Sequence, residues 1–207
     1  MRRLLEISIM LWLASLLCSC ASVSVVDTWR NPELHPQRLQ KILVVSISSK
    51  ESTRRVYEDM LASEFSRKGV EAVPGYTVIP GAALADWGVL ERAVRRAQAQ
   101  AILTVQTVKV EKQTTVQSDM GPYPGYWYPQ AFPGWDFPGY YRSMALYGPT
   151  YITTYDVSTM QVNLFDAGSD KLIWAATLES TDPSKVTTVG QDLASEVVKK
   201  LAKEGLI

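Results

Sequence analysis

Lys41-Ile42-Leu43-Val44-Val45-Ser46-Ile47 is the stretch on which the fold turns. Its apolar residues run on without alternating, so a strand there must be covered on both faces, as in sheets that carry helices on each side. The residues downstream agree. Val56, Met60, Leu61 and Phe65 recur at helical spacing, Ser48 precedes Glu51 as in a capping box, and Gly69 supplies a stop. Val70 to Tyr76 reads as a short strand closed by Pro74 and Gly75. A second helix starts at Asp86 and puts Trp87, Leu90, Val94 and Ala97 on one face. Arg92, Arg95 and Arg96 lie elsewhere on that helix, as expected of a solvated side.

Working outward, Ser22 to Trp29 is rich in β-branched residues and reads as an opening strand, broken by Asn31-Pro32. Two long strands are expected over Ala101 to Val116 and Tyr151 to Asp166, the latter with Met160, Val162 and Leu164 on one face. After the turn signal Ala167-Gly168-Ser169-Asp170, Leu172, Trp174, Ala176 and Leu178 alternate. Thr188 and Gln191 suggest another capping box, and Leu193, Val197 and Leu201 form the stripe of a terminal helix. Strand–helix–strand units favour parallel pairing, whereas the later turns favour antiparallel pairing. The expectation is one α/β domain over 20–207: a mixed β-sheet with packed helices and a long hairpin.

Between its two strands that hairpin carries a Pro/Gly/aromatic-rich loop. Residues 121–151 hold 11 aromatics, six prolines and five glycines, with Asp136 and Arg142 as the only charges. Such density of proline and glycine forbids regular helix or a central strand. A structureless loop of this length is usually functional or disordered, and disordered segments are poor in aromatics. Three readings stand side by side. The loop folds back over the sheet as an auxiliary core, forms a protein-contact surface, or stacks on glycan rings or a membrane interface. Tyr126, Trp127, Trp135 and Tyr140 are the candidate binding residues, since such rings combine a large apolar face with a polar tip.

The front of the chain sets the compartment. Arg2 and Arg3 precede an apolar run, Ile7 to Leu17, eleven residues long. As a helix it would rise about 16 Å, half of a hydrocarbon core of roughly 30 Å, so it suits a signal peptide and does not span. The run ends in Leu17-Cys18-Ser19-Cys20, which resembles the lipobox of bacterial lipoprotein precursors. That resemblance implies a signal peptide over 1–19 and lipidation of Cys20. With Cys18 removed and Cys20 acylated, no thiol remains for a disulfide. Ala21 follows the cysteine where an Asp does not, and in Gram-negative lipoproteins of this kind that implies a periplasm-facing place on the outer membrane.

The rest of the composition narrows the function. Basic and acidic side chains balance at 21 each, so nothing predicts a nucleic-acid partner. The single histidine, His35, has no nucleophile motif beside it. There is no metal-ligand spacing, phosphate loop or nucleophile elbow, so no metal, cofactor or catalytic set is expected. Glu58 and Asp59 are adjacent on a helix and point about 100° apart. Asp27 and Asp182 would need the fold to pair them as an acid–base couple.

Further runs complete the picture: Val25-Val26-Asp27-Thr28-Trp29-Arg30-Asn31-Pro32, Lys41 to Val45, Arg54-Arg55-Val56-Tyr57-Glu58-Asp59, Gly69 to Pro74, Ala99 to Leu103 and Leu172-Ile173-Trp174. Together with the lipobox they resemble a family of uncharacterised bacterial lipoproteins built on a domain of unknown function. The order of elements is distantly similar to the TolB amino-terminal domain and to penicillin-binding-protein activator lipoproteins. Those relatives imply a non-catalytic module that binds partners in the cell envelope. The expected partners are a membrane through the lipid anchor and an envelope protein met at the aromatic loop, with exposed sheet edges as a second surface. Two alternatives stay open: peptidoglycan or another glycan bound by the same rings, and assembly into a homo-oligomeric structural or secretion component.

Overall fold

The computed structural model describes residues 22–34, 36–81, 86–112, 156–181 and 183–207. Among these, six strands form one sheet: β1 (Val23–Arg30), β2 (Lys41–Ile47), β3 (Glu71–Pro74), β4 (Ala101–Lys112), β5 (Asp156–Asp166) and β6 (Leu172–Ser180). Their order across the sheet is β1-β6-β5-β4-β2-β3. β2 runs parallel to β3 on one side and to β4 on the other. β4, β5, β6 and β1 then alternate antiparallel. This is the mixed α/β sheet expected, with parallel pairing where helices make the crossovers and antiparallel pairing across the turn from β5 to β6.

Three helices cover it: α1 (Glu51–Arg67), α2 (Trp87–Ala97) and α3 (Val186–Lys203). The unbroken apolar run of β2 divides between two cores. Ile42 and Val44 pack with Tyr57, Leu61 and Phe65 of α1 and with Val189, Leu193, Val197 and Leu201 of α3. Leu43 and Val45 meet Ile79 and Leu90, Ala93 and Ala97 of α2 on the opposite face. All four β2 side chains are fully buried, each stabilising by roughly 1.5–3 kcal/mol. Gly190 lets α3 come close to α1, because a Cβ there would lie 3.0 Å from Tyr57 Cδ1.

The strand directions have one consequence for function. β2, β3, β4 and β6 end, and β1 and β5 begin, at the same end of the sheet. α1 and α3 start at that end too, since each comes after a strand that finishes there.

Local signals fared unevenly. Asp86 caps α2, its Oδ1 accepting from Val89 N at 3.1 Å. Neither expected capping box forms. α1 begins at Glu51 after Lys50, and the Ser48 hydroxyl is occupied with Lys50 just ahead of the helix. Glu51 turns to Arg55 Nε at 3.0 Å, so its carboxylate does not reach back. α3 begins at Val186 after Lys185, which leaves Thr188 and Gln191 inside the helix. The strand expected over Val70 to Tyr76 is limited to Glu71–Pro74, because Gly75–Thr77 coil into a 3₁₀ turn. The outer parts of the two long strands, 113–116 and 151–155, lie outside the described residues.

Gly69 does end α1. It sits at φ +78, Val70 N bonds to Phe65 O at 3.1 Å and Gly69 N to Ser66 O at 3.0 Å, the paired bonds of a Schellman stop. Nothing lies within 4 Å of a Cβ built there, so a side chain would suffer only from the backbone conformation. Gly69→Ala should therefore lower unfolding stability by about 1–2 kcal/mol in urea titration, and Gly69→Asn by less.

Candidate functional site

Where parallel strands send their crossovers to opposite faces, the loops at their carboxyl ends part and leave a crevice that commonly takes a ligand. β2 and β3 meet this condition, as α1 lies on one face and α2 on the other. Here the crevice is filled from within. Glu58, fully buried, accepts from Ser46 N at 2.9 Å and Arg54 Nε at 3.0 Å through Oε1, and from Tyr76 N at 2.6 Å through Oε2. Arg54, also fully buried, donates from Nη2 to Ile79 O at 3.0 Å. Its Nη1 lies 3.6 Å from Glu51 Oε2 and finds no hydrogen-bond partner among the described residues.

Gly75 makes this closure feasible. A Cβ there would stand 2.8 Å from Val44 O and 3.3 Å from Glu58 Oε1, so the turn can cross β2 only with glycine at that point. Burial pushes the Glu58 carboxyl above its ordinary range, and the Ser46 and Tyr76 N–H groups, then Arg54, draw it back. A carboxylate so engaged by its own backbone and a fixed guanidinium has the character of a strut and faces no substrate. Asp59 points outward and accepts from Tyr76 OH at 2.8 Å, which raises the Tyr76 hydroxyl above its usual value. Glu58 and Asp59 thus diverge, as their adjacency on a helix requires.

A second polar group lies on the sheet face opposite Met160, Val162 and Leu164. Thr104, Gln106, Thr159, Gln161, Asn163 and Thr177 are all buried there. Thr177 Oγ1 donates to Gln161 Oε1 at 3.1 Å, and Gln161 Nε2 to Asn163 Oδ1 at 3.1 Å. Among the described residues, Gln106 Oε1 and Asn163 Nδ2 find no partner. The sequence gives this face the look of a solvated strand side, and nothing in the local pattern distinguishes the two states.

Both sheet edges are poor templates for another strand. β3 is four residues long and ends in Pro74. β1 is longer, but its register shifts between Val25 and Asp27, and the extra residue, Val26, is 47% exposed. Short strands and bulges at an edge oppose further pairing. That disfavours the exposed edges as a contact surface.

Cys20, Tyr126, Trp127, Trp135 and Tyr140 lie outside the described residues, as do His35 and Asp182. Asp27 is exposed on β1, where Oδ1 accepts from Thr28 N at 2.8 Å. Arg92, Arg95 and Arg96 are exposed on α2, with Arg95 paired to Glu91. Among the described residues no group of His, Cys, Asp and Glu is arranged to hold a metal ion.

No family model and no curated protein matches the chain. It is similar to the solved PelC dodecamer from Paraburkholderia phytofirmans, at 16% identity and a TM-score of 0.44, over 86% of this chain and 96% of that one. A variant of that dodecamer from the same organism matches at 14% identity and a TM-score of 0.43, over 84% and 96%. Lipoprotein GNA1162 from Neisseria meningitidis matches at 17% identity and a TM-score of 0.36, over 81% and 99%. Likeness of this degree says nothing of what the chain binds.

Removing half of the buried pair tests its role as a strut. Arg54→Met leaves a buried carboxylate without its counter-charge and should cost about 3–5 kcal/mol at neutral pH. Glu58, raised in the folded state, is accommodated best as the neutral acid. The deficit should therefore shrink as pH falls towards the ordinary carboxylate range and grow as pH rises through the raised value. Arg54→Met with Glu58→Leu should recover most of the loss. Urea titrations at several pH values read all three.

Proposed function

We propose that this chain is a non-catalytic interaction module of the bacterial cell envelope. Lipid on Cys20 holds it on the outer membrane, facing the periplasm, and it meets a protein partner through the aromatic segment 121–151. The observation that carries the reading is the pairing of Lys112 with Asp156. Among the described residues the ladder between β4 and β5 runs out to that pair, so the aromatic-rich segment belongs to the stretch of sequence that joins two paired strands. Rings gathered between two paired strands suit contact, where Tyr and Trp are favoured.

Two further features support the proposal. The one deeply buried carboxylate among the described residues, Glu58, is held by hydrogen bonds from Ser46, Tyr76 and Arg54, as a structural group is. The hairpin opens at the sheet end where β1 begins, so the insertion leaves the fold on the same side as the chain leading back to Cys20. A partner met there would be met close to the membrane. Among the described residues no helix is long and apolar enough to cross a bilayer, and the lipid supplies the attachment this role requires.

A photo-crosslinker at position 127 or 135 should trap one discrete envelope protein in living cells; crosslinks confined to the chain itself would overturn the reading. Replacing Tyr126, Trp127, Trp135 and Tyr140 by Ser should abolish that adduct with little change in melting temperature. Loss of folding in this variant would assign the rings to an auxiliary core instead.

A further inference from the structure

Ser22, the first described residue, lies two positions after the proposed lipid site. Ser22 is fixed on two sides: its N and Oγ each donate to Asp192 Oδ2 of α3 at 2.7 Å, and its carbonyl accepts from Thr181 N at 3.4 Å. Val23 is buried and pairs with Ser180 at once. Two residues of chain span at most about 7 Å. If Cys20 carries lipid, its glyceride lies at the headgroup level and the folded body starts within that distance. A flexible linker of some twenty residues would give an r.m.s. reach near 25 Å; this chain has none.

We infer that the domain rests directly on the phospholipid surface, with the end of the sheet where β1, α1 and α3 begin turned to the headgroups. The inference rests on lipidation of Cys20 and adds to it an orientation and a surface. A tether this short holds the start of β1 within about 7 Å of the headgroup level, and that end of the sheet with it.

The residues at this end fit such a neighbour. Helices usually begin at Ser, Thr, Asp or Asn, and a cation opposes the helix dipole there. α1 and α3 instead have Lys50 and Lys185 at their N-caps, and neither makes a side-chain capping bond. α2 starts with an ordinary capping Asp86. Glu51, the acidic residue next to Lys50, is engaged by Arg55 and Arg54. The starts of both helices thus bring lysines to this one end of the sheet. Local stability does not favour that arrangement, whereas anionic headgroups attract it by about 1 kcal/mol per lysine.

α1 supplies the ruler. Its 17 residues rise about 25 Å from this end to the opposite one, and Ser49 and Ser66 are both exposed beside its two ends. The chain has only Cys18 and Cys20, so in the processed, lipid-bearing protein an introduced cysteine is the sole free thiol. A fluorophore is placed on Ser49→Cys or Ser66→Cys in the lipidated full chain. Each protein is then reconstituted in phosphatidylethanolamine–phosphatidylglycerol vesicles containing headgroup-nitroxide lipid. Quenching should be several-fold stronger at 49 than at 66. Twenty Gly/Ser residues inserted between Ala21 and Ser22 should abolish that contrast while leaving the lipid mass unchanged. Equal or reversed quenching in a protein whose intact mass shows the lipid overturns the orientation alone. The same holds if the contrast survives the linker. An intact mass without lipid overturns both the orientation and the tether.

Discussion

Strand β2 has no solvent-facing side. Ile42 and Val44 belong to the core under α1 and α3, and Leu43 and Val45 to the core under α2. Covering one strand on both faces requires crossover helices on opposite sides of the sheet, and this requirement dictates the rest of the layout. The crossovers set β3 and β4 parallel to β2, and the antiparallel run from β4 to β1 then brings the amino end of β1 level with the carboxyl ends of the parallel strands. The hairpin opening, the starts of α1 and α3, and the chain's approach from Cys20 share one end because of that constraint.

The same geometry would ordinarily open a ligand crevice beside β2, and this chain closes it. Arg54 and Glu58, the turn at Gly75 and the Ile79 carbonyl form a single knot in which backbone groups use both carboxylate oxygens. A buried ion pair is weak evidence for stability, since an apolar replacement is often equally good. Its service here is positional: it ties α1 to the ends of β2 and β3. The sheet's customary ligand site is thereby occupied by the chain's own side chains.

Much of the fold was legible in the sequence because it depends on periodicity. The apolar run of β2 and the stripe of Leu193, Val197 and Leu201 each state which faces are covered, and the structure agrees. In β6 the alternation holds for Trp174, Ala176 and Leu178, but a register shift that skips Ile173 puts Leu172 in the other core, and the face between them is buried as well. Capping was less legible. Ser48–Glu51 and Thr188–Gln191 have the right letters at the right spacing, but Lys50 and Lys185 occupy the caps. Arg54 and Glu58 look like a solvated i,i+4 pair, and only tertiary packing buries them. Gln106, Gln161 and Asn163 were equally opaque, since alternation shows that a face is polar and not whether it is covered. The lipid site and the aromatic segment rest on the sequence alone, at positions outside the described residues.

The account stands on a covalent tether at one sulfur, and metabolic labelling tests it most directly. Cells expressing the chain are grown with radiolabelled palmitate, beside cells expressing Cys20→Ser. The account predicts label in the native protein and none in the variant. An unlabelled native protein, or a variant that still takes up label, would contradict it.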